Sequence, residues 1–300
     1  MKYGKDGLHY NSPAHGDWGV VRMAMLVPES VQLFVCPFAC GRHGAIGAMT
    51  QGLKDRLSYL YINQSDIISG YDDLIPPAVE EMLDALPTRP RAFFIFVSCL
   101  DDLLGTDHES ILEVLSEKHP DIVFDFGHMN PISADKPTPP AISAQNNIYR
   151  VLAPTNQPTL PHINTIGNLE SLAPSAELRR LLELKGGVVH HISEFSTFDS
   201  YQTMSQSQLN LVLRPVGMQA AKSMEKRLGI PFIYHPLGYR PEEIESRFVE
   251  LAERLEIPAQ DYQPILDEAK ERGLSAVERT KALIGETPII IDSTAVLRPC

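Results

Sequence analysis

A chain of 300 residues is about twice the length of a typical domain of ~150 residues, so two domains are the first expectation. Hydrophobic residues make up 43% and charged residues 21%, and without a repetitive or uniformly polar tract this composition excludes a fibre, a coiled coil or a disordered tail. The 26 Lys+Arg against 38 Asp+Glu leave a formal charge of −12, a surface that repels nucleic-acid backbones and anionic membrane faces, so neither is expected as a partner.

In chain order, Met1 to His15 is polar and lacks a basic start followed by an apolar stretch. No later run approaches the ~18 apolar residues of a bilayer span, and a cytoplasmic protein is expected. Runs rich in Val, Ile, Phe and Tyr predict strands at Val31 to Cys36, Ser58 to Ile62, Ala92 to Ser98 and Asp121 to Phe126. Between them, Ile75 to Leu86 and Asp107 to Lys118 show helical spacing, with Asp107 and Glu109 placed where acidic side chains complement a helix N-terminus. Strands alternating with helices predict a parallel sheet.

From Asn130 to Pro161 the chain is rich in proline (Pro131, Pro137, Pro139, Pro140, Pro154, Pro158, Pro161), which argues against a continuous packed element. A domain boundary is expected here, giving an N-terminal α/β domain over 1–150 and a second over 151–300. The second half resumes the alternation: strands at His162 to Gly167, Val188 to Ile192, Leu209 to Leu213, Phe232 to His235 and Pro288 to Asp292. Helices are predicted from Ser175 to Leu184, Val216 to Leu228, Pro241 to Leu255 and Gln260 to Leu283, with Gly229 and Pro231 as stop signals for the second of these.

Ligands of an open parallel sheet bind beyond the carboxyl ends of its strands. Cys36 ends one predicted strand, Cys40 follows four residues on, and Cys99 directly follows another, so three thiols come from one edge of one sheet. Cys36 and Cys40 would share a face if the turn between them is helical. They read either as buried small hydrophobes or as a metal nest. Iron and sulfur suit them better than zinc, because a [4Fe–4S] cluster takes four ligands and a shortfall can be met by another residue or a neighbouring subunit. Cys300, the last residue, is treated as incidental.

Gly41, Gly44 and Gly47 after the first strand invite a dinucleotide reading, but the first gap is two residues and the next strand ends at Asn63 and Gln64 where an acidic ribose ligand is needed. Close packing of strand and helix is the alternative. Adjacent His190 and His191 point to opposite faces if they lie in a regular strand. Arg214 ends a predicted strand directly before a helix starting at Pro215, a setting for an anion, although pairing with a structural carboxylate would explain it equally. His235 ends the neighbouring strand, where an imidazole could donate a proton.

Several segments together resemble the nitrogenase component 1 family, which includes the molybdenum-iron protein, dark-operative protochlorophyllide reductase, chlorophyllide reductase and nickel-sirohydrochlorin reductive cyclase. They are Gly19-Val20-Val21, Cys36-Pro37-Phe38-Ala39-Cys40-Gly41, Ser98-Cys99 with Leu103-Leu104-Gly105-Thr106-Asp107, Asn210-Leu211-Val212 and Gly229-Ile230-Pro231-Phe232. The resemblance implies two Rossmann-like α/β domains, with parallel sheets flanked by helices and the third family domain absent, because the chain stops at Cys300 near where that domain would begin. It implies that Cys40 and Cys99 bind a subunit-bridging iron-sulfur cluster. The earliest cluster cysteine of the family would fall near Ser12 to His15, where there is none, and Cys36 is its substitute. Asp17, His15 or a partner residue is the candidate fourth ligand. Arg214 stands where true nitrogenases carry a cofactor cysteine, which implies a substrate other than dinitrogen.

The leading reading is a nitrogenase-like reductase subunit, a homodimer or a pair with a paralogous subunit, whose [4Fe–4S] cluster on Cys36, Cys40 and Cys99 receives electrons from an ATP-dependent iron-sulfur reductase protein. Arg214 would bind the substrate and His235 would act as the catalytic acid. A non-catalytic scaffold for metallocofactor assembly and an NAD(P)-dependent oxidoreductase are the alternatives.

Overall fold

A computed structural model describes residues 23–50, 52–129, 140–236 and 238–288. The first sheet is formed by β1 (Ser30–Cys36), β2 (Leu57–Tyr61), β3 (Ala92–Ser98) and β4 (Val123–Met129), all parallel and ordered β2-β1-β3-β4. Helices α1 (Phe38–Thr50), α2 (Gln64–Ser69), α3 (Ile75–Ala85), α4 (Asp101–Leu104) and α5 (His108–Lys118) connect them.

The run Ala-Phe-Phe-Ile-Phe-Val-Ser of β3 is buried from end to end, as a parallel strand covered on both faces must be. Alternation sends Phe93, Ile95 and Val97 toward Ile75, Val79 and Met82 of α3 and toward Ile111 and Leu115 of α5. Phe34, Cys36, Phe94 and Phe96 belong to the opposite core. Ile75, Val79 and Met82 recur at helical spacing along α3, which explains the face it buries. The carboxylate of Asp107 caps α5 by accepting the Ser110 N–H at 3.1 Å.

A second parallel sheet repeats the pattern with β5 (Leu160–Ile166), β6 (Val189–His190), β7 (Ser207–Val212) and β8 (Phe232–Tyr234), ordered β6-β5-β7-β8. Its helices are α6 (Pro140–Arg150), α7 (Glu177–Glu183), α8 (Phe198–Gln202), α9 (Met218–Leu228), α10 (Pro241–Arg254) and α11 (Ala259–Ile284). Helix α9 ends at Gly229 in the left-handed region, φ 73°, as the stop signal requires.

Helix α6 lies inside the proline-rich stretch that argued against a packed element. Proline is tolerated at its first residue, Pro140, because that N–H would have no helical partner anyway, and no proline follows before Arg150. The helix packs on both β4 and α9. Asn147 donates to the Phe126 carbonyl, while Ile148 and Tyr149 share one core with Phe34, Phe96, Ile166, Tyr201 and Met224. Arg227 of α9 donates to the carbonyls of Tyr149 at 2.9 Å and Leu152 at 3.1 Å, satisfying acceptors left over where α6 ends.

Two further differences have local causes. Strand β6 stops at His190 because the His191 ring turns the backbone, accepting the Ser193 N–H on Nδ1 at 3.2 Å, and a short helical turn Ile192–Glu194 follows. Strand β4 starts later than Asp121 because that carboxylate is taken by the Arg89 guanidinium ahead of the sheet. The strand expected over Pro288 to Asp292 lies, after Pro288, outside the described residues. No helix among the described residues is long and apolar enough to cross a membrane.

Candidate functional site

The carboxyl ends of β1 and β3 lie side by side in the sheet, and the three thiols gather there. Cys36 is the last residue of β1 and only 1% exposed, whereas Cys40 sits half-buried in the first turn of α1, its N–H bonded to the Pro37 carbonyl at 2.9 Å. Because α1 begins at Phe38, Cys36 is strand and Cys40 helix, so the two do not occupy one helical face as a helical turn would have placed them. Gly41 lets α1 settle on β2: a Cβ there would meet the Tyr59 ring at 2.9 Å and Tyr61 at 3.1 Å. Gly44 and Gly47 lie inside the same helix. The turn before that helix is thus Pro37 alone, without the glycines a pyrophosphate loop needs.

All three cysteines are free thiols. Burial, with the nearby Cys40 adding to it, pushes the Cys36 thiol up to about 12. Burial and then Cys99 raise that of Cys40. Cys40 therefore lies within electrostatic range of Cys36, and Cys99 of Cys40. For Cys36 and Cys40 burial works against the thiolate, and a multiply charged cation is what would offset that cost. The donor chemistry thus fits an iron-sulfur cluster. The candidate fourth ligands Asp17 and His15, like Cys300, lie outside the described residues.

Two residues past Cys99, a second group converges that the sequence reading did not single out. Asp101 is buried; its Oδ1 accepts the Tyr71 hydroxyl at 2.6 Å, and its Oδ2 stands 2.9 Å from His108 Nε2 and 3.7 Å from His128 Nδ1. Burial by itself would raise the Asp101 carboxyl, but His108, Tyr71 and Thr106 around it more than offset this and hold it below the ordinary range. The available signal was Asp101 and His108 flanking the Gly105 turn. His128, brought in by the parallel pairing of β3 with β4, had none.

In the second sheet, Arg214 follows β7 with extended backbone and precedes the Pro215–Gly217 turn that opens into α9. Gly167 lies under it with φ 99°, and a Cβ there would stand 2.9 Å from the Arg214 carbonyl oxygen, so only glycine fits. The Arg214 Nε is buried with no hydrogen-bond partner among the described residues. His235 follows β8, its N–H bonded to the Val212 carbonyl at 3.0 Å, and its Nε2 is 3.1 Å from Glu250 Oε2 of α10. The structure thus brings the three cysteines together at one sheet and pairs His235 with Glu250. Arg214 is left with an open donor.

These features define a tandem parallel-sheet α/β protein with thiols gathered at the strand ends of its first sheet. The sequence profile of nitrogenase component 1 type oxidoreductases matches residues 17–295, and the chain belongs to this family. Among solved structures it is similar to nitrogenase Cp1 at pH 6.5, with 17% identity, a TM-score of 0.66, and coverage of 93% of this chain and 55% of that one. Similarity to nitrogenase Cp1 at pH 5 is of the same order, at 16% identity and TM-score 0.66, covering 93% and 58%. The chain spans little more than half the length of these structures, and at such identities the likeness shows the fold. No curated protein matches the sequence.

Proposed function

We propose that the chain is a subunit of a nitrogenase-like reductase in which Cys36, Cys40 and Cys99 hold an iron-sulfur cluster of the [4Fe–4S] type. The carrying observation is the placement of three free thiols at one sheet edge: Cys36 ends β1, Cys40 lies in the first turn of α1, and Cys99 follows β3, which pairs with β1. When bound, the cluster supplies one-electron transfer. The protein residues do the rest. Buried Cys36 excludes water from one side, Gly41 fixes the helix that carries Cys40, and the first sheet sets the separation of Cys36 from Cys99.

In this reading the chain divides into a cluster-bearing part over 1–150 and a second part over 151–300. The open donor of Arg214, which directly precedes the turn leading into α9, binds an anionic group of a substrate other than dinitrogen. His235, held by Glu250, supplies a proton at the neighbouring strand end. With three placed thiols per chain, a fourth ligand comes most simply from a second subunit, a copy or a paralogue. Electrons arrive from a separate ATP-dependent iron-sulfur protein.

Anaerobic purification followed by iron and sulfide counts tests the reading. Iron should be present, each of Cys36→Ala, Cys40→Ala and Cys99→Ala should lower it, and Arg214→Ala should leave it unchanged while weakening substrate binding by about 2 kcal/mol or more. A protein that takes up no iron and sulfide on reconstitution overturns the cluster. Iron bound without turnover, with the reductase and ATP supplied, points instead to a scaffold for cofactor assembly.

A further inference from the structure

We infer that Asp101, His108 and His128 form a binding site for a single divalent transition-metal ion, separate from the thiols. Two imidazole nitrogens and one carboxylate oxygen have their ligand atoms all within 4.8 Å of one another, and among the described residues this is the one group of three such side chains so placed. Donors bound to one ion at about 2.0–2.2 Å lie about 3.0–3.5 Å apart in tetrahedral or octahedral arrangements. The observed separations from Asp101 Oδ2, 2.9 Å to His108 and 3.7 Å to His128, bracket that range.

His108 Nε2 is buried, and its 2.9 Å approach to Asp101 Oδ2 is the contact of an ion pair and equally the spacing of two donors that face one ion. The pairing of Asp101 with His108 does not by itself explain why His128 converges on the same oxygen, whereas a shared ion does.

The surroundings are built as metal sites are built, with partners that orient the ligands. The Tyr71 hydroxyl occupies Oδ1 of Asp101 at 2.6 Å and Thr106 in turn donates to Tyr71 at 3.3 Å, which leaves Oδ2 free to bind an ion through one oxygen. The His108 ring lies over Phe126 with centroids 4.4 Å apart, fixing its plane, and meets the His128 ring edge-on at 5.0 Å. The His128 side chain is 40% exposed, so one side of the site is open to solvent, as in sites that leave a coordination position for water or substrate.

Nitrogen-rich donors of this kind suit Zn²⁺ or Fe²⁺ rather than Ca²⁺ or Mg²⁺, which prefer oxygen. The site is distinct from the thiols. Along β4, His128 follows the alternation of Phe126 toward the α3 and α5 side of the first sheet, whereas Cys36 belongs to the opposite core.

Equilibrium dialysis of the full chain against Zn²⁺ tests this, with iron content measured in parallel. The wild-type protein should bind one ion per chain in addition to any iron, and His108→Gln and His128→Gln should each weaken that binding at least about 10-fold while leaving the iron content unchanged. A full-length Cys36→Ser, Cys40→Ser, Cys99→Ser variant should keep the same binding, which separates this site from thiol-bound zinc and from the fate of the cluster reading. His128→Gln, at a partly exposed position, guards against loss of folding in the His108 variant. The inference is overturned if the wild-type chain binds no additional ion, or if both histidine variants bind it as tightly as wild type does.

Discussion

The first sheet, ordered β2-β1-β3-β4, ends in sulfur and imidazole; the second, ordered β6-β5-β7-β8, ends in a guanidinium and an imidazole and links two of its strands through a buried asparagine pair. The interior of β3 is alanine, phenylalanine, isoleucine and valine. In the second sheet, by contrast, Asn164 of β5 donates to Asn210 of β7 at 2.8 Å and to the Met204 carbonyl at 2.9 Å, and it accepts the Ser207 hydroxyl at 2.8 Å. One strand order thus carries a central strand with an apolar interior, β3, in one sheet and an asparagine-linked central pair, β5 and β7, in the other, with different side chains at the strand ends. The comparison teaches that the topology supplies positions beyond the strand ends, while the residues placed there decide what can bind.

The comparison predicts first that the two halves unfold together despite their different chemistry, because they share a core. Phe96, from the first sheet, is buried with Ile148, Ile166, Tyr201 and Met224. Phe96→Ala should cost about 3–5 kcal/mol and lower the stability of both sheets in a single denaturant transition. Two separated transitions, with only the first moved, would break the comparison by showing two independent units.

A smaller effect should come from the polar interior of the second sheet. Asn164→Ala strands the groups of Asn210 and Ser207 it now satisfies and should cost about 1–3 kcal/mol, read as a shift of the denaturation midpoint with the iron content unchanged. A neutral result would mean that the asparagine pair is not what closes this interior.

The smallest effect in the wild-type chain is the pH dependence from two buried groups, because they oppose each other. Burial raises Asp125 from 3.8 to about 7, against the pull of Arg150. Its folded form holds the proton more tightly, so its contribution is full below 3.8 and is lost as pH rises through about 7. Burial, then His162, lowers His190 from 6.5 to about 4, so its contribution is full above 6.5 and is lost as pH falls through about 4. Asp125→Asn should therefore gain stability relative to wild type as pH rises across this window, and His190→Gln should lose it. Denaturant midpoints measured across the window check both signs, and equal slopes in the two variants would refute the opposition.

Much of this was legible along the chain. Parallel strands buried on both faces read as continuous apolar runs, so the limits of β3 are those of the Ala92 to Ser98 run. Gly229 ends α9 and Asp107 caps α5 because capping chemistry is local. The cysteines could be placed at strand ends for the same reason. What stayed hidden depends on residues distant in sequence. Helix α6 is surrounded by proline and owes its place to packing between β4 and α9. His235 carries no sequence sign that Glu250 will hold it.

By itself, then, the sequence determined the alternation of buried strands and amphipathic helices, the helix stops, and the thiols at the end of β1, the start of α1 and the end of β3. These follow from burial periodicity and local hydrogen bonding, which act over a few residues. Only the tertiary structure decided that both sheets take the same strand order, that α6 joins their cores, and that Asp101 and His108 meet His128. Those outcomes arise from pairing residues from 22 apart, Asn210 with Phe232, to 62 apart, Ser30 with Ala92, and the free energy that selects them is that of burying whole faces, a quantity no local stretch of sequence contains.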